Sequence, residues 1–118
     1  MLLYDGGRAP NPRRVRIFLA EKGIELPLKP VDMTAFGHRS EEITALNAFQ
    51  RLPVLQLDDG TILTESVAIC RYFEELHPDP PLMGIDPLDR AIVEMWNRRA
   101  EFHLLYHVAQ AFRHTHPA

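Results

Sequence analysis

The sequence predicts an α/β fold in which a small mixed sheet of about four strands is covered by helices and followed by one long helix. Through residue 76, strand-like and helix-like stretches follow the order strand, helix, strand, helix, hairpin, helix. The first three predict a right-handed parallel crossover, and the hairpin adds antiparallel strands to the same sheet. Several prolines and a glycine in residues 77–87 then predict a linker before the long helix.

Turn and capping residues mark the first strand and the first helix. Residues 2–4 form a short apolar run that ends at an Asp-Gly-Gly turn. The helix after it is predicted to have Asn11 as its N-cap and Pro12 in its first position, because a capping side chain followed by proline is typical of a helix start. Gly23 is predicted to end this helix.

The middle of the chain is predicted to complete the sheet. Two prolines place the second strand at an edge, because proline cannot donate to a sheet ladder. An Asp-Asp-Gly turn predicts a hairpin, because Asp-Gly readily adopts the positive φ angles of a tight turn. The predicted elements are a strand at 26–33, a helix at 40–48, hairpin strands at 54–57 and 61–63, and a helix at 66–76.

The last predicted element is a helix over residues 88–113 with an unusually broad apolar stripe. Apolar residues recur at intervals of three or four along it, and several aromatic residues widen the stripe. Such a face is not stable in water alone. We expect it to be covered either by a second subunit or by residues after Ala118, and we favour the view that the chain is a fragment of a longer protein.

Composition narrows the partners and the compartment. The formal net charge is -3 with acids and bases interspersed, which gives no basic stripe for nucleic acid and no polybasic membrane patch. A single cysteine, Cys70, excludes an internal disulfide framework and suits a reducing compartment. No apolar run is long enough for a membrane span or typical of a signal peptide. We expect a cytoplasmic protein whose partner is a small molecule or another protein.

The pair Leu52-Pro53 stands just before the first hairpin strand. Pro53 has no N–H, and it biases Leu52 toward an extended backbone whose N–H and C=O have no evident partner. Such a backbone can dock another extended chain. The alternative is a proline that simply begins a strand.

The pair Glu65-Ser66 opens the third predicted helix. The Ser66 hydroxyl and the free N–H groups of the helix start favour an anion, and Glu65 offers a counter-charge for an ammonium group. An α-amino acid head group carries both charges. The alternative is an ordinary helix start.

Four segments in this order resemble the cytosolic glutathione transferase family: "VRIFLAEKGIE", "LNAFQRLPVL", "DGTILTESVAI" and "YFEELHP". The resemblance covers essentially the whole chain. It implies a thioredoxin-like glutathione-binding domain at 1–76, a proline-rich linker at 77–87, and the incomplete start of an all-helical domain at 88–118.

The resemblance also implies roles for the two pairs described above. Pro53 would be the family's cis-proline, and the backbone of Leu52 would pair with the cysteinyl part of glutathione. Glu65 and Ser66 would hold its γ-glutamyl end.

The glycine carboxylate at the other end of glutathione requires cations. His38 and Arg39 lie just before the second predicted helix, and Arg51 precedes Leu52. The resemblance implies that these residues bind that carboxylate, with His38 and Arg51 the better matches. The alternative is a solvated loop of mixed charge.

The group that activates the thiol departs from the common pattern. Thiolate is the nucleophile, so a hydrogen-bond donor must be aimed at the sulfur. The usual serine position falls on Ala9, which has no side-chain donor, whereas Asn11 matches an asparagine of some bacterial and fungal relatives. Asn11 is the predicted catalytic residue. Its alternative role is the N-cap alone, and backbone N–H groups of the helix start remain a further source of donors. Tyr4 is a distant second candidate.

Two other features are expected to be structural. Cys70 lies among apolar residues of the third helix, where cysteine is usually an inert small hydrophobe. His103 and His107 have the spacing of metal ligands, but Leu104 stands where the zinc-protease pattern requires glutamate. No metal is therefore predicted.

Together these observations predict a glutathione transferase that acts on small electrophiles as a homodimer, with a role in detoxification. One alternative is a glutathione-dependent disulfide reductase. Another is a non-catalytic glutathione-binding or interaction module, which the absence of a donor at Ala9 keeps open. Little or no conjugation is expected from the 118-residue chain alone.

Overall fold

The computed structural model describes residues 1–116, which divide into two compact units, Met1–Pro80 and a second unit from Pro81 onward. The division falls inside the predicted linker. The strands are β1 (Leu2–Asp5), β2 (Leu28–Pro30), β3 (Val54–Gln56) and β4 (Ile62–Thr64). The helices are α1 (Pro10–Glu21), α2 (Glu41–Leu46), α3 (Ser66–Leu76), α4 (Pro87–Ala100) and α5 (Tyr106–Thr115), with a 3₁₀ turn at Gly37–Arg39.

The four strands of the first unit form one mixed sheet in the order β2-β1-β3-β4. β1 pairs with β2 in parallel, and β3 is antiparallel to both β1 and β4. In this register Tyr4 lies opposite Val54, and Val54 lies opposite Thr64. The carboxyl ends of β1, β2 and β4 therefore meet the amino end of β3 at a single edge of the sheet, which we call the loop edge.

Both faces of the sheet are buried. Tyr4 and Val54 point to one face, where they pack in a core cluster with Ile43 of α2. Leu3 and Leu55 point to the other face because side chains alternate along a strand, and both are fully buried. α1 and α3 pack against each other. Their buried apolar residues include Val15, Leu19, Ile69 and Phe73.

α1 begins earlier than its sequence signals predict. Its first residue is Pro10 and its N-cap is Ala9, which makes no side-chain capping bond. The predicted N-cap role of Asn11 is therefore wrong, as is the placement of Pro12 at the first helical position. Either proline suits the first turn, because neither has an N–H to leave unpaired there. Asn11 instead lies exposed within the first turn.

The predicted long helix is present as two α-helices with a π-helical segment, Glu101–Leu105, between them. The periodicity of apolar residues does not reveal this change, because a single wider turn leaves the stripe nearly in place. The second strand is shorter than predicted. Pro27 precedes it and Pro30 ends it, and neither proline can donate a hydrogen bond to the sheet. Among the described residues, no helix is long and apolar enough to cross a membrane.

A buried lysine fastens the end of the first unit to α1. The amine of Lys22 donates to the carbonyl oxygens of His77 and Pro80 at 2.6 Å each, and it pairs with Glu74 at 2.5 Å. These bonds satisfy carbonyl groups beyond the last turn of α3 and neutralise a carboxylate there. The first residues of the predicted linker therefore belong to the first unit.

Candidate functional site

The sheet topology brings the predicted site residues to the loop edge. The chain leaves β1 there and begins α1, which carries Asn11 in its first turn. The segment after β2 leads to the 3₁₀ turn with His38 and Arg39. Arg51, Leu52 and Pro53 lead into β3, and Glu65 with Ser66 follows β4 directly. All eight predicted residues thus lie in segments that start or end at this edge.

Leu52 and Pro53 are held between the core and the loop after β1. Leu52 is 7% exposed and packs in the cluster that contains Tyr4 and Val54. Their peptide bond is cis. A side chain on Gly6 would lie 3.3 Å from Leu52 Cδ1, so glycine allows the loop after β1 to approach this closely. In the described part of the chain, no hydrogen bond uses the main chain of Leu52.

Asn47 fixes the turn before this pair, a role that the sequence analysis missed. It is buried at the C-cap of α2, where its Nδ2 donates to the carbonyl oxygen of Arg51 at 2.9 Å. Its Oδ1 accepts from the Phe49 N–H at 3.1 Å. The turn includes Gln50 at a φ of 54°, a left-handed conformation that favours glycine. Both ends of one amide thus hold the main chain that presents Leu52.

The start of α3 combines an exposed carboxylate with a buried hydroxyl. Glu65 is the N-cap residue, with a φ of 67° and no side-chain capping bond. That backbone conformation costs on the order of 1–3 kcal/mol in a non-glycine residue. Ser66 begins the helix and is only 6% exposed. The strained backbone at Glu65 turns the chain from β4 directly into a helix start that no side chain caps.

Arg14 contacts this helix start, and the sequence analysis did not select it. Its Nη1 donates to Ser66 Oγ at 2.9 Å, which connects α1 to α3. Arg14 also lines an open groove beside α1 together with Arg8, Pro10, Arg13 and Ile17. The helix pattern places Arg14 one position before Val15 of the core stripe, but only the packing of α1 on α3 identifies its partner.

An ion pair organises the loop where the thiol activator is expected. Arg16 Nη1 lies 2.5 Å from Oδ2 of the buried Asp5, and its Nη2 donates to the Gly7 carbonyl oxygen at 2.7 Å. The Gly7 N–H donates back to Asp5 Oδ2 at 3.2 Å. The loop is thereby fixed before α1 begins. Tyr4 is buried in the core cluster, and its hydroxyl donates to Gln56 Oε1 at 3.4 Å, which fits a packing role.

The predicted cationic residues are less enclosed. Arg39 and Arg51 are exposed, and the Arg39 guanidinium lies 5.0 Å from the ring centre of Phe36. His38 is half-buried, and its Nδ1 is buried without a hydrogen-bond partner. Burial lowers the pKa of His38 below its usual 6.5, and the charge of Arg39 lowers it further. The neutral imidazole therefore predominates at neutral pH.

Cys70 is enclosed within α3. It is 2% exposed, and burial raises the pKa of its thiol to about 11. A thiol that remains protonated and inaccessible is a poor nucleophile. Among residues 1–116, no group of three or more histidine, cysteine, aspartate or glutamate side chains has an arrangement that could hold a metal ion.

Comparison with known proteins identifies the family. A model described as "Glutathione S-transferase, N-terminal domain" matches residues 9–76, more than half of the chain. The chain belongs to the glutathione S-transferase family. The family predicted from the four sequence segments is thereby confirmed.

Individual family members match over most of this chain. It is 39% identical over 119 residues to glutathione S-transferase 2 of Saccharomyces cerevisiae, covering 99% of this chain and 51% of that protein. It is 44% identical over 93 residues to maleylacetoacetate isomerase of Pseudomonas aeruginosa, covering 77% of this chain and 44% of that protein. The chain thus spans about half the length of these glutathione S-transferase family relatives.

Solved structures of the family support the fold. A glutathione S-transferase domain-containing protein of Marinobacter aquaeolei has a TM-score of 0.89 at 41% identity, over 95% of this chain and 56% of that one. A Gtt2-class glutathione S-transferase of Vibrio parahaemolyticus has a TM-score of 0.85 at 43% identity, over 96% of this chain and 55% of that one. The predicted α/β fold, a thioredoxin-like mixed sheet followed by a long helical segment, is confirmed.

Proposed function

We propose that this glutathione S-transferase chain binds glutathione at the loop edge as its thiolate, for transfer to small electrophiles. The carrying observation is that one edge gathers an unpaired main-chain segment at Leu52, an uncapped helix start at Ser66 and two exposed guanidinium groups. An extended tripeptide with a zwitterionic head and a distal carboxylate matches this arrangement. A structure from Sulfitobacter described as a glutathione transferase homologue with bound glutathione supports the ligand.

The two ends of glutathione are assigned by charge. Ser66 and the N–H groups of the α3 start would receive the α-carboxylate of the γ-glutamyl residue, and Glu65 would pair with its ammonium. The cysteinyl residue would pair with the main chain of Leu52, ahead of Pro53. Arg51, with Arg39 and His38, would receive the glycine carboxylate. In this assignment the zwitterionic head and the glycine carboxylate occupy opposite ends of the proposed site.

Asn11 is proposed to stabilise the thiolate. It lies in the exposed first turn of α1, between Pro10 and Pro12, which lack N–H groups of their own. Ala9 at the N-cap offers no side-chain donor. The Asn11 amide is thus a free side-chain donor near the positive end of the helix dipole, and both effects favour an anion.

The proposal extends to the whole protein. Residues 1–76 would be the glutathione-binding domain, 77–87 the linker and 88–118 the start of the helical domain. The electrophile is a small molecule, and the active form is a homodimer in the cytoplasm, with a role in detoxification. No metal takes part.

Because Ala9 lacks a donor, the second candidate is a glutathione-binding module without turnover. The disulfide reductase is distinguished from the transferase by assaying a mixed disulfide against a halogenated aromatic.

Binding and thiol ionisation test the proposal. Calorimetric titration with glutathione should show saturable binding, and ultraviolet absorbance of the bound thiolate should show a thiol pKa below the free value of about 8.5. In Asn11→Ala we expect that pKa to rise by about one unit while the melting temperature is unchanged. The half-buried Asn97 of α4 lies outside the proposed site and provides the control, Asn97→Ala, with no change in the thiol pKa expected.

Absence of glutathione binding by the protein would refute the proposed site. Binding with no lowering of the thiol pKa would favour the module without turnover. An unchanged thiol pKa in Asn11→Ala would remove Asn11 from the mechanism and leave the backbone N–H groups of α1 as the donors.

A further inference from the structure

We propose that Arg14 is a positioning residue of the glutathione site, which orients the Ser66 hydroxyl so that its proton points toward the bound α-carboxylate. The inference rests on the proposed function and adds a residue that neither the sequence motifs nor the resemblance selected. It also predicts that the protein is most selective for one part of the ligand, the α-carboxylate of an amino acid head group.

The geometry of the Arg14–Ser66 contact is the first step. Arg14 reaches from α1 to the first residue of α3 and donates to Ser66 Oγ at 2.9 Å. Ser66 is 6% exposed, and Arg14 is half-buried. The bond is therefore sheltered from bulk water and joins side chains that are 52 positions apart in the sequence. A sheltered bond to a charged donor is stronger than an exposed one.

The chemistry of the two groups fixes the direction of the bond. A guanidinium group has donors only, so Ser66 Oγ must accept. A serine near a helix start otherwise tends to form hydrogen bonds with nearby backbone groups of its own segment. With Arg14 on the oxygen, the hydroxyl proton is free to donate elsewhere. The proposal directs this proton toward an anion at the start of α3, where no side chain caps the helix.

Charge near the helix start acts in the same direction. Arg8 and Arg13 line the same open groove as Arg14, so positive charge accumulates on this side of α1. The charge of Arg14 is also felt inside α3, where it opposes the effect of burial on the pKa of Cys70. A carboxylate at Ser66 would thus meet an oriented O–H, the helix dipole and a neighbouring guanidinium.

A double-mutant cycle with a matched ligand pair tests the proposal. The proteins are the wild type, Arg14→Met, Ser66→Ala and the double variant. The ligands are glutathione and its analogue without the α-carboxylate, 4-aminobutyryl-cysteinyl-glycine. Calorimetric titration gives the affinities, and thermal unfolding reports stability. Arg13→Met removes the same charge from the same helix without touching Ser66, and Arg14→Lys restores a charged donor.

We expect Arg14→Met to weaken glutathione binding about ten-fold, the range of one charge-assisted hydrogen bond. In the Ser66→Ala background the same substitution should cost less than about two-fold, because the group that it orients is gone. The analogue should bind all four proteins within about three-fold. Arg13→Met should weaken binding by less than about two-fold, as expected for an exposed charge that does not contact Ser66, and Arg14→Lys should recover part of the affinity.

Three results would overturn the inference. The first is unchanged glutathione affinity in Arg14→Met. The second is an equal loss of affinity for glutathione and for the analogue in Arg14→Met, which would indicate a purely structural link between α1 and α3. The third is a full additional loss in the double variant. If Arg14→Met does not fold, Arg14→Leu takes its place in the cycle, because it also removes the guanidinium that donates to Ser66 Oγ. Failure of the wild type to bind glutathione would refute both proposals, whereas wild-type binding with an insensitive Arg14→Met refutes this one alone.

Discussion

The two ends of the proposed glutathione site are held in different ways. At the α3 end, Ser66 is buried and bonded to Arg14 before any ligand arrives. At the cationic end, Arg39 and Arg51 are exposed, with long side chains that a ligand would have to order. Ordering such a side chain costs about 0.5–1.5 kcal/mol on binding. We infer that the buried end supplies most of the affinity, whereas the exposed end supplies attraction that salt weakens.

The largest expected effect is at the buried end. Ser66→Ala should weaken glutathione binding about 10- to 150-fold, because a hydrogen bond to a charged group contributes about 1.5–3 kcal/mol. Calorimetric titration measures the loss. Ser40→Ala is the matched control, since Ser40 caps α2 by accepting from the Ile43 N–H. That variant should lose about 1 kcal/mol of stability and little affinity. Similar glutathione affinities for Ser66→Ala and the wild type would contradict the inference that the buried end supplies most of the affinity.

A smaller loss of affinity is expected from substitution of Asn47. This buried residue fixes the main chain at the cationic end of the site, where the arginine side chains themselves are exposed. Asn47→Ala removes two hydrogen bonds of a buried amide and leaves the Arg51 carbonyl without its donor. The free energy of unfolding should fall by about 2 kcal/mol, measured by denaturant titration, and glutathione affinity should fall several-fold. Asn97→Ala in α4 should change stability by less than about 0.5 kcal/mol. An unchanged free energy of unfolding in Asn47→Ala would show that the turn is stable without these two hydrogen bonds.

The third effect concerns salt at the cationic end. Arg51→Gln should weaken glutathione binding by less than about five-fold at low ionic strength, as expected for an exposed ion pair. The difference from the wild type should nearly vanish near 1 M salt, where the Debye length is about 3 Å. Titrations over a salt series measure this. The loss in Ser66→Ala should persist at high salt. Parallel salt dependence of the two variants would mean that both ends are equally exposed.

The smallest effect is the pH response of His38. Its folded-state pKa is lowered by burial, so the unfolded chain binds the proton more readily. The stability contributed by neutral His38 is complete above pH 6.5 and is lost as the pH falls through the lower folded value. His38→Gln should therefore gain stability relative to the wild type below pH 6.5, in paired thermal unfolding curves. A wild-type advantage that grows on acidification would contradict the sign of this shift.

Sequence reasoning succeeded where a feature is local. The hairpin of β3 and β4 and the bounds of α3 were predicted to within about one residue, because the Asp-Gly turn and the apolar stripe are local signals. It failed at the start of α1, where Pro10 and Pro12 both suit a first turn. The π-helical segment after α4 was missed because wider helical hydrogen bonding has no simple side-chain pattern.

The candidate site was predictable only in part for the same reason. Leu52, Glu65 and Ser66 were selected from pairs of adjacent residues whose chemistry is visible in the sequence. The bond from Arg14 to Ser66 was not, because it depends on how α1 packs on α3. The hydrogen bonds of Asn47 were missed although they join residues close together in the sequence, because an asparagine at a helix end can adopt several common hydrogen-bonding roles.

Cys70 gives the proposed chemistry an unexpected safeguard against self-modification. An electrophile-processing enzyme exposes its own thiols to the reagents it handles. Here the one cysteine of the chain is sealed in α3 with a pKa of about 11, some distance above that of a free thiol near 8.5. At neutral pH, Cys70 would thus be a much poorer target for alkylating compounds than glutathione bound as its thiolate.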